Sequence, residues 1–162
     1  MRHLFPLTLL SALALPAHAQ MVTLTPAQIG EIFCIGSLGN DMAPVEALLS
    51  PDLSALVAEA RQHSEALAAA RPDEKPPLGD GLPWRTWQDY ADGCTVAPGS
   101  DDEEAIIQYS FAATPDASYS NTLRLVRVTQ APGGELVWRI DDIALGDRQS
   151  MRGALITALE QP

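Results

Sequence analysis

This chain is poor in the residues from which most enzymes build their chemistry. It has 3 histidines among 162 residues. Two of them, His3 and His18, fall in an N-terminal targeting segment, which leaves His63 for the rest. His63 has polar neighbours on a predicted helix and reads as a surface histidine. There is no H-E-x-x-H and no C-x-x-C. A transition-metal centre and a thioredoxin-type pair therefore have little to build on, and no metal or cofactor is expected. A Ser-His-Asp triad would have to recruit His63, and no G-x-S-x-G elbow is present. Walker and G-x-G-x-x-G loops are also missing, and Gly36-Ser37-Leu38-Gly39 reads as a helix end.

Positive charge is scarce. Lys and Arg total 10 against 21 Asp and Glu, a formal net charge of -11. Such a surface repels phosphate backbones and anionic lipid, which argues against nucleic acid and membrane surfaces as partners. The imbalance is uneven: acids far outnumber bases between Gln20 and Leu123, and the two balance from Arg124 onward.

Long apolar runs are confined to one place. Arg2 and His3 precede a mostly apolar stretch from Leu4 to Leu15, followed by Ala17-His18-Ala19 and Gln20. The stretch contains Pro6 and is shorter than the roughly 20 residues that a spanning helix needs. It has the layout of a signal peptide cleaved near Ala19. The expectation is a leader over residues 1–19 and one mature domain over 20–162, in the periplasm or secreted. Cys34 and Cys94 are the two cysteines. An even count in an exported chain predicts a disulfide between them, worth about 4 kcal/mol by the loop-entropy argument.

What is present reads as helices followed by strands. Thr25-Pro26-Ala27-Gln28 has the capping threonine, N1 proline and returning glutamine of a helix start. Ile29, Ile32, Phe33 and Leu38 follow at helical spacing, with Cys34 beside that face. A short helix is expected over residues 44–49. Ser50-Pro51-Asp52-Leu53 repeats the start signal for a helix to about Ala70, with Leu53, Leu56, Val57, Ala60 and Leu67 buried. Residues 71–83 read as a surface loop rich in Pro, Gly and charge. Trp84 to Tyr90 is either a helical turn or an irregular segment. A short strand is expected at Thr95-Val96, and Asp101-Asp102-Glu103-Glu104 reads as a solvated turn without calcium-loop spacing.

Three strands follow. Ala105, Ile107, Tyr109 and Phe111 alternate with Ile106, Gln108 and Ser110. The strand from Tyr119 to Thr129 slips its alternation at Leu125-Val126, where a β-bulge would turn Leu123, Leu125, Val126 and Val128 inward. After Pro132-Gly133-Gly134, the run Leu136 to Ile143 alternates again, with Leu136, Trp138 and Ile140 on the core face and Trp138 a core residue. A last helix, from Ser150 to about Glu160, should bury Met151, Leu155 and Leu159. The fold class is α+β: N-terminal helices packed on a curved antiparallel sheet, with a short C-terminal helix.

Certain strings go further. Ser50-Pro51-Asp52-Leu53, Trp87-Gln88-Asp89, Leu125-Val126-Arg127, and Gly134 leading to Trp138-Arg139-Ile140-Asp141-Asp142-Ile143 resemble a family of exported bacterial proteins. That family is a domain of unknown function, grouped with the cystatin-like, nuclear-transport-factor-two-like superfamily. The resemblance implies a cone-shaped fold and carries over no catalytic residue. The superfamily holds isomerases, dehydratases, transport factors and immunity modules, so it does not choose a function.

Three groups are candidate sites. With the bulge in place, Arg124, Arg127 and Arg139 share the face opposite the core with Gln108 and Ser110. That stripe either binds an anionic partner or lines the cone's pocket, or it pairs across strands with Glu104 and Asp141. Trp84, Trp87 and Tyr90 either line an aromatic cleft, or pack in the core or as a hydrophobic lid over the helices. Asp141 and Asp142 form a tempting acid pair, but consecutive strand residues point apart. One is expected to pair with an arginine and the other to end the strand. The function expected is non-catalytic: an exported domain binding a small ligand or a protein. The alternatives are a small isomerase or hydratase using a pocket carboxylate, and an immunity or inhibitor protein whose acidic loops block a basic target.

Overall fold

Local signals near the N-terminus set the first helix. In the computed structural model, which describes residues 23–87, 91–129, 133–146 and 149–162, the Thr25 hydroxyl accepts from the Gln28 N–H at 3.3 Å. The Gln28 side-chain Oε1 accepts from the Thr25 N–H at 2.9 Å. This reciprocal cap starts α1 (Pro26–Gly39), which closes on Asn40 in the left-handed region at φ 53°. A short α2 (Ala43–Glu46) follows, then α3 (Pro51–Ala70). Ser50 caps α3, its hydroxyl accepting from the Leu53 N–H at 3.1 Å. The expected leader lies outside the described residues, as does Tyr90.

Five strands form one antiparallel meander in chain order: β1 (Gly93–Pro98), β2 (Glu104–Ser110), β3 (Tyr119–Thr129), β4 (Leu136–Leu145) and β5 (Gln149–Ser150). Helix α4 (Met151–Leu159) follows, with the Ser150 hydroxyl accepting from the Gly153 N–H at its start. Helix α1 packs on β1 and β2, while α3 packs on α4 and β4. Ile29, Phe33, Leu53, Ile107, Leu123, Ile140, Ile143 and Leu155 fill the space between helices and sheet, each with no exposed surface. The architecture is thus α+β, with helices on the apolar face of the sheet and a short helix after the last strand. Among the described residues, no helix is long and apolar enough to cross a membrane.

Cys34 on α1 and Cys94 on β1 are bonded, with Cα atoms 5.6 Å apart. Beside them, helix and strand approach so closely that a Cβ on Gly30 would stand 2.7 Å from Val96 Cγ1. Glycine at this point of α1 is a packing requirement.

Some expected positions differ. The irregularity lies in β4, not β3: Arg124 pairs with Asp142 and Leu125 with Ile140, so Asp141 is the extra residue. With no bulge in β3, Val126 turns to the solvent face and is 36% exposed. The displaced residue is explained by what lies on the other side of β4. Ile140 also bridges Leu49, its N–H donating to the Leu48 carbonyl and its carbonyl accepting from the Ser50 N–H. Leu136, at the far end of the hairpin, is 51% exposed, while Val137 opposite Val128 is buried. Leu38 is also exposed, and Ala158 is buried in α4 where Leu159 is half-buried.

Candidate binding site

The start of α1, the β1–β2 hairpin and the far ends of β3 and β4 enclose a cleft of about 470 Å³. Thr25, Pro26, Ala27 and Glu31 supply the helical wall. Val96, Ala97, Pro98 and Ala105 supply the hairpin wall, and Trp138 and Arg127 complete the lining. Asp101, Asp102 and Glu104 also line it, at the hairpin turn.

Trp138 stands on the core face of β4 and packs against the core, but it is only half-buried, because its outer part lines this cleft. That corrects its expected place wholly within the core. Arg127 is directly opposite Trp138 in the β3–β4 ladder, and its guanidinium carbon lies 4.5 Å from the indole centroid. A cation over an indole at this distance is attracted by the ring quadrupole, by about 0.5–1 kcal/mol where solvent reaches it.

The hairpin's acids are held by local hydrogen bonds. Glu104 Oε2 accepts from the Ser100 hydroxyl at 2.7 Å and from the Ser100 N–H at 3.2 Å. These bonds, the hydroxyl above all, hold the Glu104 carboxyl below its usual range, and Arg124 adds a smaller pull. The Asp101 carboxylate accepts from the Glu103 N–H at 2.9 Å.

The arginine stripe divides. In β3, Arg127 alternates with Leu123 and Leu125 on the core side, so without a β3 bulge it leaves the outer face. Arg124 stays on that outer face between Glu104 on β2 and Asp142 on β4, with Nη1 3.8 Å from Asp142 Oδ2. Arg139, opposite Val126, donates to the Trp138 carbonyl at 2.8 Å. Gln108, opposite Ser120, accepts from the Thr95 hydroxyl at 3.4 Å. Cross-strand charge pairing therefore accounts for Arg124, whereas Arg127 belongs to the cleft.

Asp141 is a structural hub. Its carboxylate accepts from the Ser50 hydroxyl at 2.7 Å and pairs with Arg152 of α4, whose Nε donates to the Asp141 carbonyl. Asp142 accepts from the N–H groups of Ile143 at 2.9 Å and Arg152 at 3.0 Å. Both acids therefore face arginines, and neither ends the strand, which runs on to Leu145. The strict alternation expected to part the two does not hold here, because Asp141 is the extra residue: both acids lie between the core-facing Ile140 and Ile143, and each carboxylate is taken up by these bonds.

The aromatic segment is split as well. Trp84 meets Phe33 edge to face at 6.4 Å, whereas Trp87 is 59% exposed and its carbonyl accepts from the Tyr119 hydroxyl. Between them, Thr86 exchanges hydrogen bonds with the buried Asn121, whose amide also donates to the Ala144 carbonyl. His63, half-buried on α3, has Nε2 2.9 Å from the Gln161 carbonyl.

Thr25, Ala27, Glu31 and Asp102 were not among the candidate residues. Their one signal is apolar and acidic character at both ends of the α1–β1 pair, and only tertiary contact makes it a cleft. Among the described residues, no group of three or more His, Cys, Asp or Glu is placed to hold a metal ion. No family model matches this chain, and no curated protein or solved structure matches it either.

Proposed function

We propose that the mature chain is an exported, non-catalytic binding domain of the cystatin-like, cone-shaped kind, and that the cleft over Trp138 is its binding site. The observation that supports this most is the cleft's composition. About 470 Å³ of mostly apolar wall, with a half-buried indole on its lining and a few charged groups around it, falls within the size and character usual for ligand sites. The bonded Cys34–Cys94 pair fits export, because such bonds form and persist in oxidising compartments.

An isomerase or hydratase would want an enclosed carboxylate whose proton affinity is raised toward neutrality. Glu104, in the cleft, is displaced the other way by the Ser100 bonds. Its carboxylate stays ionised and is a poor proton acceptor, which favours binding over proton transfer at this site.

The test uses an uncharged solvatochromic dye on the mature protein. Wild type should bind it with a blue shift. Ala27→Trp, which fills the cleft from the exposed first turn of α1, should lose most of the response while keeping its thermal midpoint. Equal dye binding by both proteins would overturn the assignment of the site.

A further inference from the structure

The charges around the cleft are of unequal standing, and this identifies the chemistry of the occupant. Glu31 and Asp102 are exposed and line the cleft, and their carboxylates make no hydrogen bond or ion pair among the described residues. Glu104 and Asp101 are carboxylates already anchored to their own turn by hydrogen bonds, which hold both side chains in place at the rim. Against these four acids, among the described lining residues, stands one cation, Arg127, which lies on the Trp138 ring and forms no ion pair with them. The remaining wall is apolar: Pro26, Ala27, Val96, Ala97 and Pro98.

We infer that the cleft takes a cationic, apolar-bodied peptide segment of a partner protein, with lysine or arginine heads meeting Glu31 and Asp102 and aliphatic stems lying on the apolar wall. This deepens the reading of the cleft as the binding site and rests on it. Charge complementarity argues for this occupant: a rim with three more negative than positive charges, on a chain of net charge -11, draws cations in and repels anions. Long basic side chains are suited to the remainder, since their methylene stems cover apolar surface while the heads stay at the rim. Arg127 has a defined part in this. It covers the indole face but opposes an incoming cation, so removing its charge should strengthen capture.

The experiment measures fluorescence anisotropy of a short labelled peptide of alternating lysine and leucine, titrated with the mature protein. A counterpart carrying glutamate in place of lysine is run beside it. The expected results are binding of the lysine peptide alone, weakened about tenfold by Glu31→Gln with Asp102→Asn, and tightened severalfold by Arg127→Gln. Glu59→Gln with Asp73→Asn removes the same charge at exposed positions outside the cleft and should change affinity little. Equal weakening by that control pair would reduce the effect to net charge and overturn the inference. Preference for the glutamate peptide, lost with Arg127→Gln, would also overturn it, yet would leave the cleft as the binding site. Unchanged lysine-peptide binding in Ala27→Trp would overturn both.

Discussion

Two side chains carry much of what can be tested one residue at a time. Asp141 joins three elements: the Ser50 cap of α3, Arg152 of α4, and the irregular point of β4. Hydrogen bonds to a charged group contribute about 1.5–3 kcal/mol, and their loss leaves the partners to find water. Asp141→Ala should therefore lower the unfolding free energy by that order, read as a lower urea midpoint with the slope unchanged. A shift within the error of a surface substitution would show that the junction is not needed.

Tyr109 reports on the core. It is 1% exposed, and its hydroxyl shares a 2.8 Å hydrogen bond with Ser37. Burial pushes its phenol up to about 12 from 10.0, with the Ser37 bond pulling weakly the other way. In the pH interval between those values the unfolded chain has released this proton and the folded chain has not. Stability from Tyr109 is thus complete below pH 10 and is lost as pH rises to about 12, by roughly 2–3 kcal/mol. Tyr109→Phe should cost stability at neutral pH, where Ser37 loses its partner, but should flatten the alkaline decline. Parallel alkaline curves for the two proteins would refute the assignment.

At the scale of elements, α1 and β1 are joined by a disulfide and a close helix–strand approach, and the determinants of the fold are unequally visible in the sequence. The capping box at Thr25, the Ser50 cap, and the hairpin at Gly133-Gly134 are local patterns that act over a few residues, so each appears in the chain where it acts. Gly30 is different. Its role depends on Val96, which is far along the chain, and nothing near position 30 announces the 2.7 Å approach. Gly30→Val should destabilise by about 1–3 kcal/mol through overpacking, and Val96→Ala in the same chain should restore part of that loss. The disulfide beside them closes a loop with a sequence separation of 60. Replacing both cysteines by alanine should cost about 4 kcal/mol by loop entropy, read from thermal unfolding of the oxidised protein and the double variant.

The bulge shows why pattern alone misled. Adjacent apolar residues Leu125 and Val126 look like a slip in β3, but the alternation continues unbroken: Leu123, Leu125 and Arg127 keep to the core side, and Val126 is simply an apolar residue on the outer face. The true extra residue, Asp141, answers to Ile140, which is bonded on one side to Leu125's strand and on the other to the α2–α3 turn. That constraint comes from residues some ninety positions earlier, Ser50 and Asp141 being 91 apart. Two of the strings behind the family resemblance, Ser50 to Leu53 and Trp138 to Ile143, meet at this junction. Their residue pattern therefore has a structural cause independent of any function.

For the molecule as a whole, the sequence carried the α+β class, the disulfide and the lopsided charge, because each is a property of composition or of regular patterning. It did not carry the cleft, whose walls come from residues near 27, 97, 127 and 138. Arg127 exemplifies the gap: one bulge placed in the wrong strand moves it from the cleft to the outer face. The account as a whole turns on that cleft. Its most direct test is a two-dimensional amide NMR titration of uniformly labelled protein, residues 20–162, with the lysine–leucine peptide. The account predicts saturable shifts at the start of α1, along the β1–β2 hairpin and at Arg127 and Trp138, with the outer-face residues Gln108, Arg124 and Arg139 little moved. Shifts centred on that outer face, or none that saturate, would contradict it.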